Sequence, residues 1–181
     1  MAIWKIDPAH SEIKFKVRHL VVSNVTGHFD KFEATVEAEK EDFSDARIRF
    51  EADVDSINTK NDQRDGHLKS PDFFDAANYP KITFVSNSIA RKSAGEYEIL
   101  GDLKIRGVTR EVKLAATYNG TVRGFGGTEV VGFEVAGKIN RFDFGLQWNT
   151  LTEAGGVVVS EEVKLEIEAE FNRAEGAKKA A

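Results

Sequence analysis

Four histidines, His10, His19, His28 and His67, are the first residues in this sequence that invite a chemical question. Neutral imidazoles bind zinc, but histidine zinc sites show close spacing such as H-x-x-x-H, and none of the four is so placed. The spacing assigns no metal and no cofactor. A second cluster, Asp62, Arg64, Asp65, His67, Lys69, Asp72 and Asp75, gathers acids, a base and cations in one short stretch. Acid–base catalysis needs such groups paired at a pocket that shifts their pKa values. A network of helix caps and ion pairs accounts for the same residues at least as well. Their other use is a polar mouth in which Arg64 and His67 meet a ligand head group or phosphate. Arg141, beside Phe142 and Phe144, is a second cation open to that role or to a structural ion pair.

Several chemistries have no footing. There is no cysteine, which removes disulfides, thiolate metal sites and a cysteine nucleophile. No G-x-S-x-G elbow, H-E-x-x-H pair, Walker A loop or EF-hand loop occurs. Gly124, Gly126 and Gly127 do not complete G-x-G-x-x-G, because Glu129 stands where the last glycine belongs. Lys and Arg number 25 against 30 Asp and Glu, interspersed, for a net charge of -5. That balance argues against nucleic acid, whose binding rests on phosphate contacts. The N-terminus meets charge at once, without the apolar region of a signal peptide, so a cytoplasmic location is expected. The longest apolar runs, Leu20-Val21-Val22 and Val157-Val158-Val159, fall far short of the roughly 18 residues of a transmembrane segment.

The elements that must position these residues are strands. Ile13, Phe15 and Val17 alternate with charged neighbours, and His19 continues their phase. The same period recurs over 32–39 and 47–54, at Ile82 and Phe84, and over 97–105, 112–116, 131–139 and 163–171. Eight strands are expected. Gly107, Asn119-Gly120 and the run 124–127 are expected to supply turns. Residues 59–79 interrupt the alternation, and one or two short helices are expected there, capped near Thr59 or Asn61 and again at Ser70-Pro71.

Strands with one apolar face form either a two-sheet sandwich or a closed barrel. Hairpin-length connections favour an all-β, antiparallel, up-and-down, lipocalin-like barrel of eight strands over residues 1–172, with a flexible tail at 173–181. Such a barrel fills with side chains or holds one small ligand. Small residues at inward positions, Ala34, Ala52, Gly101, Ala116 and Gly137, lean toward a vacant lumen. Phe15, Val17, Phe50, Phe73, Phe74, Phe84, Phe133, Phe144 and Trp148 are expected to line it, although core packing is the default role of any aromatic residue.

Further residues carry a family resemblance. They are Trp4, Asp7, His10-Ser11 and Ile13; Gly27 and Phe29; Arg64-Asp65 with His67-Leu68; Asp72-Phe73-Phe74; Tyr79-Pro80; Gly101-Asp102-Leu103; Gly107-Val108-Thr109; and Asn140-Arg141 with Asp143-Phe144-Gly145. In order and spacing, from about Trp4 to Phe171, the chain resembles the YceI-like, polyisoprenoid-binding proteins. The resemblance implies a lipocalin-like barrel whose pore takes a long isoprenoid or other long-chain amphiphile, often as a dimer. The expected function is to bind and carry or sequester a polyprenyl- or quinone-type lipid, without catalysis. At about 0.8 kcal/mol per buried methylene-sized group, one five-carbon unit contributes on the order of 3 to 4 kcal/mol gross. Three units offset the roughly 4 to 15 kcal/mol lost on association. Two rivals are an enzyme using the barrel as a dry chamber, with His19, His67 or an aspartate as base, and a filled barrel acting through its outer surface.

Overall fold

Three kinks shape the first third of the chain. In the computed structural model, which describes residues 1–175, β1 (Ala2–Ile6) bends into β2 (Glu12–His19) through a 3-10 turn at Pro8–His10. Proline opens that turn, and the Asp7 carboxylate caps it by accepting from Ala9 N at 2.9 Å. β3 (Ser23–Phe29) bends into β4 (Phe32–Ala38) at Asp30-Lys31, and β5 (Arg47–Asp53) bends into β6 (Ile57–Asn58) through the 3-10 turn Val54–Ser56. The remaining strands are long and unbroken: β7 (Lys81–Ser93), β8 (Glu96–Ile105), β9 (Val108–Arg123), β10 (Glu129–Asn140) and β11 (Val159–Arg173).

Every pairing is antiparallel, and the sheet closes through β1 and β11 into the ring β1-β4-β5-β7-β8-β9-β10-β11. Ile6 faces Phe171 and Ile13 faces Ile167, so β1 and β2 lie in succession along one edge of β11. Counting each kinked pair as one strand, neighbours in sequence are neighbours in the barrel, and the expected eight-stranded up-and-down order holds. β1, β3 and β6 are additions to the strands expected from alternation. β11 runs through Arg173, one residue past the expected domain boundary; residues 176–181 of the expected tail lie outside those described.

The turns divide. Arg106 and Gly107 both take positive φ, 51° and 73°, as a two-residue hairpin requires. Asn119-Gly120 is not a turn. It lies inside β9 as a bulge, where the register with β10 slips between Gly132 and Phe133, because the hairpin continues out to a tip at residues 124–128.

Between β6 and β7 one helix forms, α1 (Asp62–Lys69), with Asn61 accepting from Arg64 N at 2.9 Å as its N-cap. The second helical start, at Ser70-Pro71, does not propagate. Phe74 N and Ala76 N return to the carbonyls of Leu68 and Lys69, which folds the chain back and buries Phe73 and Ala76. Among the described residues β6 pairs only with β3, and α1 packs beside β6. The end of the barrel holding α1 is termed the helix end, and the end where β1 begins the closed end.

Two clusters make up the core. At the closed end Trp4, Phe43, Val131, Ala169 and Phe171 pack with Tyr118 and Phe133. The larger cluster spans the middle and the helix end, around Ile13, Phe29, Phe73, Phe84, Phe144 and Leu146.

An apolar chamber as the candidate functional site

The inward faces of the strands leave a cavity of about 440 Å³ with an almost wholly apolar wall. Strand phase sets much of that wall: Ile13, Phe15, Val17 and His19 follow one another on β2, and Phe84 stands opposite Phe50 of β5 on one side and Leu103 of β8 on the other. All thirteen residues singled out from sequence meet on this one cavity: Phe15, Val17, His19, Phe50, Arg64, His67, Phe73, Phe74, Phe84, Phe133, Arg141, Phe144 and Trp148.

Of the small residues expected to leave room, Ala34, Ala52 and Ala116 line the cavity, but the two glycines do not open it directly. A Cβ on Gly101 would come within 2.3 Å of the Phe84 ring, and one on Gly137 within 2.5 Å of Leu114. Those glycines are already covered by neighbours. Gly27, the register partner of Phe15, is covered in the same way, with 2.2 Å between the Phe15 ring and an added Cβ. The consequence is geometric. Each ring lies along the wall over a glycine instead of crossing the lumen, so the glycines make space by letting the aromatics lie flat.

The two ends of the cavity differ in polarity and access. Phe43, buried and in contact with three other rings, forms the floor at the closed end. At the helix end Arg64 is exposed and His19 and His67 are half-buried, so solvent reaches the chamber there. His67 stands edge-on to Phe73 and Trp148, with centroids at 5.1 and 4.8 Å, while its Nε2 meets Asp72 at 2.8 Å. Among the described residues the Arg64 guanidinium is held by Thr59 and not by an acid: Nε donates to the hydroxyl and Nη2 to the carbonyl, both at 2.8 Å. Thr59 in turn is fixed by buried Asp65, which accepts from its N–H at 2.9 Å and its hydroxyl at 2.5 Å.

Among the described residues Arg141 forms no ion pair, and it is not a free cation. It is 4% exposed, and its three guanidinium nitrogens donate to the carbonyls of Leu146, Trp148, Val159 and Ser160 at 2.7 to 3.3 Å. Burial away from water lowers its pKa, with the Glu161 charge pulling the other way. Its work is to clamp the 145–160 loop that carries Trp148 to the chamber.

Two histidines lie off the chamber wall. His28 pairs with Glu12 at 2.7 Å. His10 pairs with Asp7 at 2.8 Å and lies 3.7 Å from Glu170, at the β1–β2 kink. The hydrogen bond that the His10 ring donates to Asp7, then the Asp7 charge, raises the His10 pKa.

Sequence reasoning passed over several wall residues. Phe29 lies in phase with Val25 and Gly27 on β3, a strand too poor in apolar residues to show alternation. Ile48, Tyr97 and Ile99 carry the strand phase without being selected, and Ile89 falls out of phase with Ile82 and Phe84 because the register shifts between Ser86 and Ser88. Phe43 sits alone in a loop at φ 57°, and no local signal marks it.

Comparison with known proteins gives this barrel its relatives. The YceI-like domain family model matches residues 4–171. UPF0312 proteins of Staphylococcus aureus strains MSSA476 and MW2 are each 42% identical over 176 residues, 97% of this chain and 100% of theirs. The crystal structure of the Campylobacter jejuni YceI protein superposes with a TM-score of 0.76 at 32% identity, over 87% of this chain and 90% of that one. Burkholderia cenocepacia BcnA (TM-score 0.80, 23% identity, 91% and 98% covered) shares the fold. So does a polyisoprenoid-binding domain from Saccharophagus degradans (TM-score 0.64, 17% identity, 94% and 98% covered). With the family model matched along nearly its whole length, the chain belongs to the YceI-like domain family.

Proposed function

We propose that this protein binds a long-chain isoprenoid, or an amphiphile of the same shape, and carries or sequesters it without chemical change. The observation that carries the reading is one apolar chamber of about 440 Å³ whose exposed polar groups gather at a single end. The tail lies between the floor at Phe43 and the flattened rings of Phe15 and Phe84, and the head stays at the helix end beside Arg64, His67 and His19. The polyisoprenoid-binding neighbour supports the ligand class.

The volume sets a length. A cavity of about 150 Å³ accepts one benzene, so this chamber takes about three five-carbon units, and longer tails reach out of the mouth. Three units contribute on the order of 9 to 12 kcal/mol gross, enough to offset much of the roughly 4 to 15 kcal/mol lost on association. No charged clamp is needed for retention, and the two exposed arginines at the rim, Arg18 and Arg64, make no ion pair among the described residues.

Solvent extraction and mass spectrometry of freshly purified protein tests the reading. A co-purifying isoprenoid or fatty amphiphile is the expected result, lost on replacing Val17 or Val135 by Trp, which narrows the lumen from half-buried positions. A turnover product would favour an enzyme. An empty extract together with no uptake of added geranylgeraniol would contradict the proposal.

A further inference from the structure

Two turns stand side by side at the helix end. Leu20-Val21-Val22 joins β2 to β3, and the loop at 149–158 precedes β11. Leu20 N donates to the Val158 carbonyl at 2.9 Å, and the second loop folds on itself by a bridge between Leu151 and Val157. Together they expose five aliphatic side chains: Leu20 41%, Val21 66%, Val22 80%, Leu151 71% and Val157 44%.

We infer that these turns dock the protein on a lipid bilayer, with the chamber mouth held at the membrane surface. The inference rests on the reading of the chamber as a site for a lipid tail, and three observations carry it. The first is position. His19 and Val159, which adjoin the two turns in the chain, and Val158, the last residue of the second, line the chamber. The second is charge. Within the turns Glu153 is the one charged residue, with Arg18 and Glu161 at their bases, so the surface fits an uncharged apolar phase better than an ionic partner.

The third is backbone conformation. Leu20 and Val21 take φ of 51° and 65°, the left-handed region, where a β-branched residue is an outlier and Gly or Asn is the ordinary occupant. Neither folding stability nor solubility favours aliphatic residues there. Contact with hydrocarbon does, since these side chains would leave water only when the turns enter the acyl boundary.

Flotation with vesicles of phosphatidylcholine alone tests the inference, read beside uptake of geraniol added from solution. The parental chain is expected to float with the vesicles, little affected by salt. The V21D/V22D double variant should float at least tenfold less while binding geraniol as before. Val122→Asp, at an exposed position of β9 next to the hairpin tip of the closed end, serves as control and should float normally. A parental chain that takes up geraniol but does not float overturns docking and leaves the chamber reading intact. Equal flotation of the double variant, loss in the control, or a parental dimer that V21D/V22D dissociates also overturns it. Absence of geraniol uptake overturns the chamber reading and, with it, the docking inference.

Discussion

The closed end and the helix end of this barrel are built from the same alternating strands, yet one is solid and the other hollow. At the closed end Phe43 meets Trp4, Tyr118 and Phe133 with centroids 5.3 to 5.9 Å apart, and Phe133 meets Phe171 at 6.2 Å. There the rings point at one another and exclude everything else. Toward the helix end the rings of Phe15 and Phe84 are drawn aside over Gly27 and Gly101, and the space between opposite walls stays open. Hydrophobicity alone therefore does not decide between a core and a container. At Phe15 and Phe84 the difference is a glycine on the next strand for the ring to lie against.

Removing the floor should have the largest effect on this contrast. Phe43→Ala is expected to cost about 3 to 5 kcal/mol of stability, by loss of burial and creation of a cavity. The same change should lengthen the chamber, so that longer tails fit, as titration with isoprenoids of graded length would show. Unchanged length preference would mean that Phe43 is not the floor.

Next in size is the clamp at the other end. Arg141→Met leaves several carbonyls without their donor, at about 1 to 3 kcal/mol for each one that stays buried. Hydrogen exchange is expected to rise across 145–160 and not at the closed end. Uniform exchange along the chain would contradict the assignment.

Gly27→Val sharpens the comparison directly. No positive φ forbids a side chain at Gly27, but its Cβ would drive the Phe15 ring into the lumen. Binding should weaken about tenfold, or about 1.4 kcal/mol, with the fold retained. Tighter binding would refute the flattened-ring account.

The smallest effect lies at the kink between the two ends. His10 has its pKa raised by the hydrogen bond it donates to Asp7. Its contribution to stability is complete below the ordinary histidine value of about 6.5 and is lost as pH rises through the raised folded value. His10→Ala should therefore lower the urea midpoint at pH 6 more than at pH 8.

Much of this could be read from residue order. Strand phase identified Phe15, Val17, Phe50, Phe84 and Phe133, because a period of two leaves the inward face no choice once one face is charged. Bent strands were less legible. β1 ends at a kink after five residues, too short to show its period, and β3 is poor in apolar residues, with Gly27 hiding its inward face by holding no side chain of its own. Phe43 and Arg141 act through partners distant in sequence or through main-chain carbonyls, which residue types do not announce. The bulge at Asn119-Gly120 was misread for a related reason: a local turn signal gave way to a hairpin that continues beyond it.

Titration of the purified, delipidated protein with isoprenoid alcohols of one to five units is the most direct test of the chamber. Affinity should climb with each added unit and level off at about three, where the 440 Å³ is filled. Binding that ignores tail length, or no binding at any length, would show that the space is not a tail site.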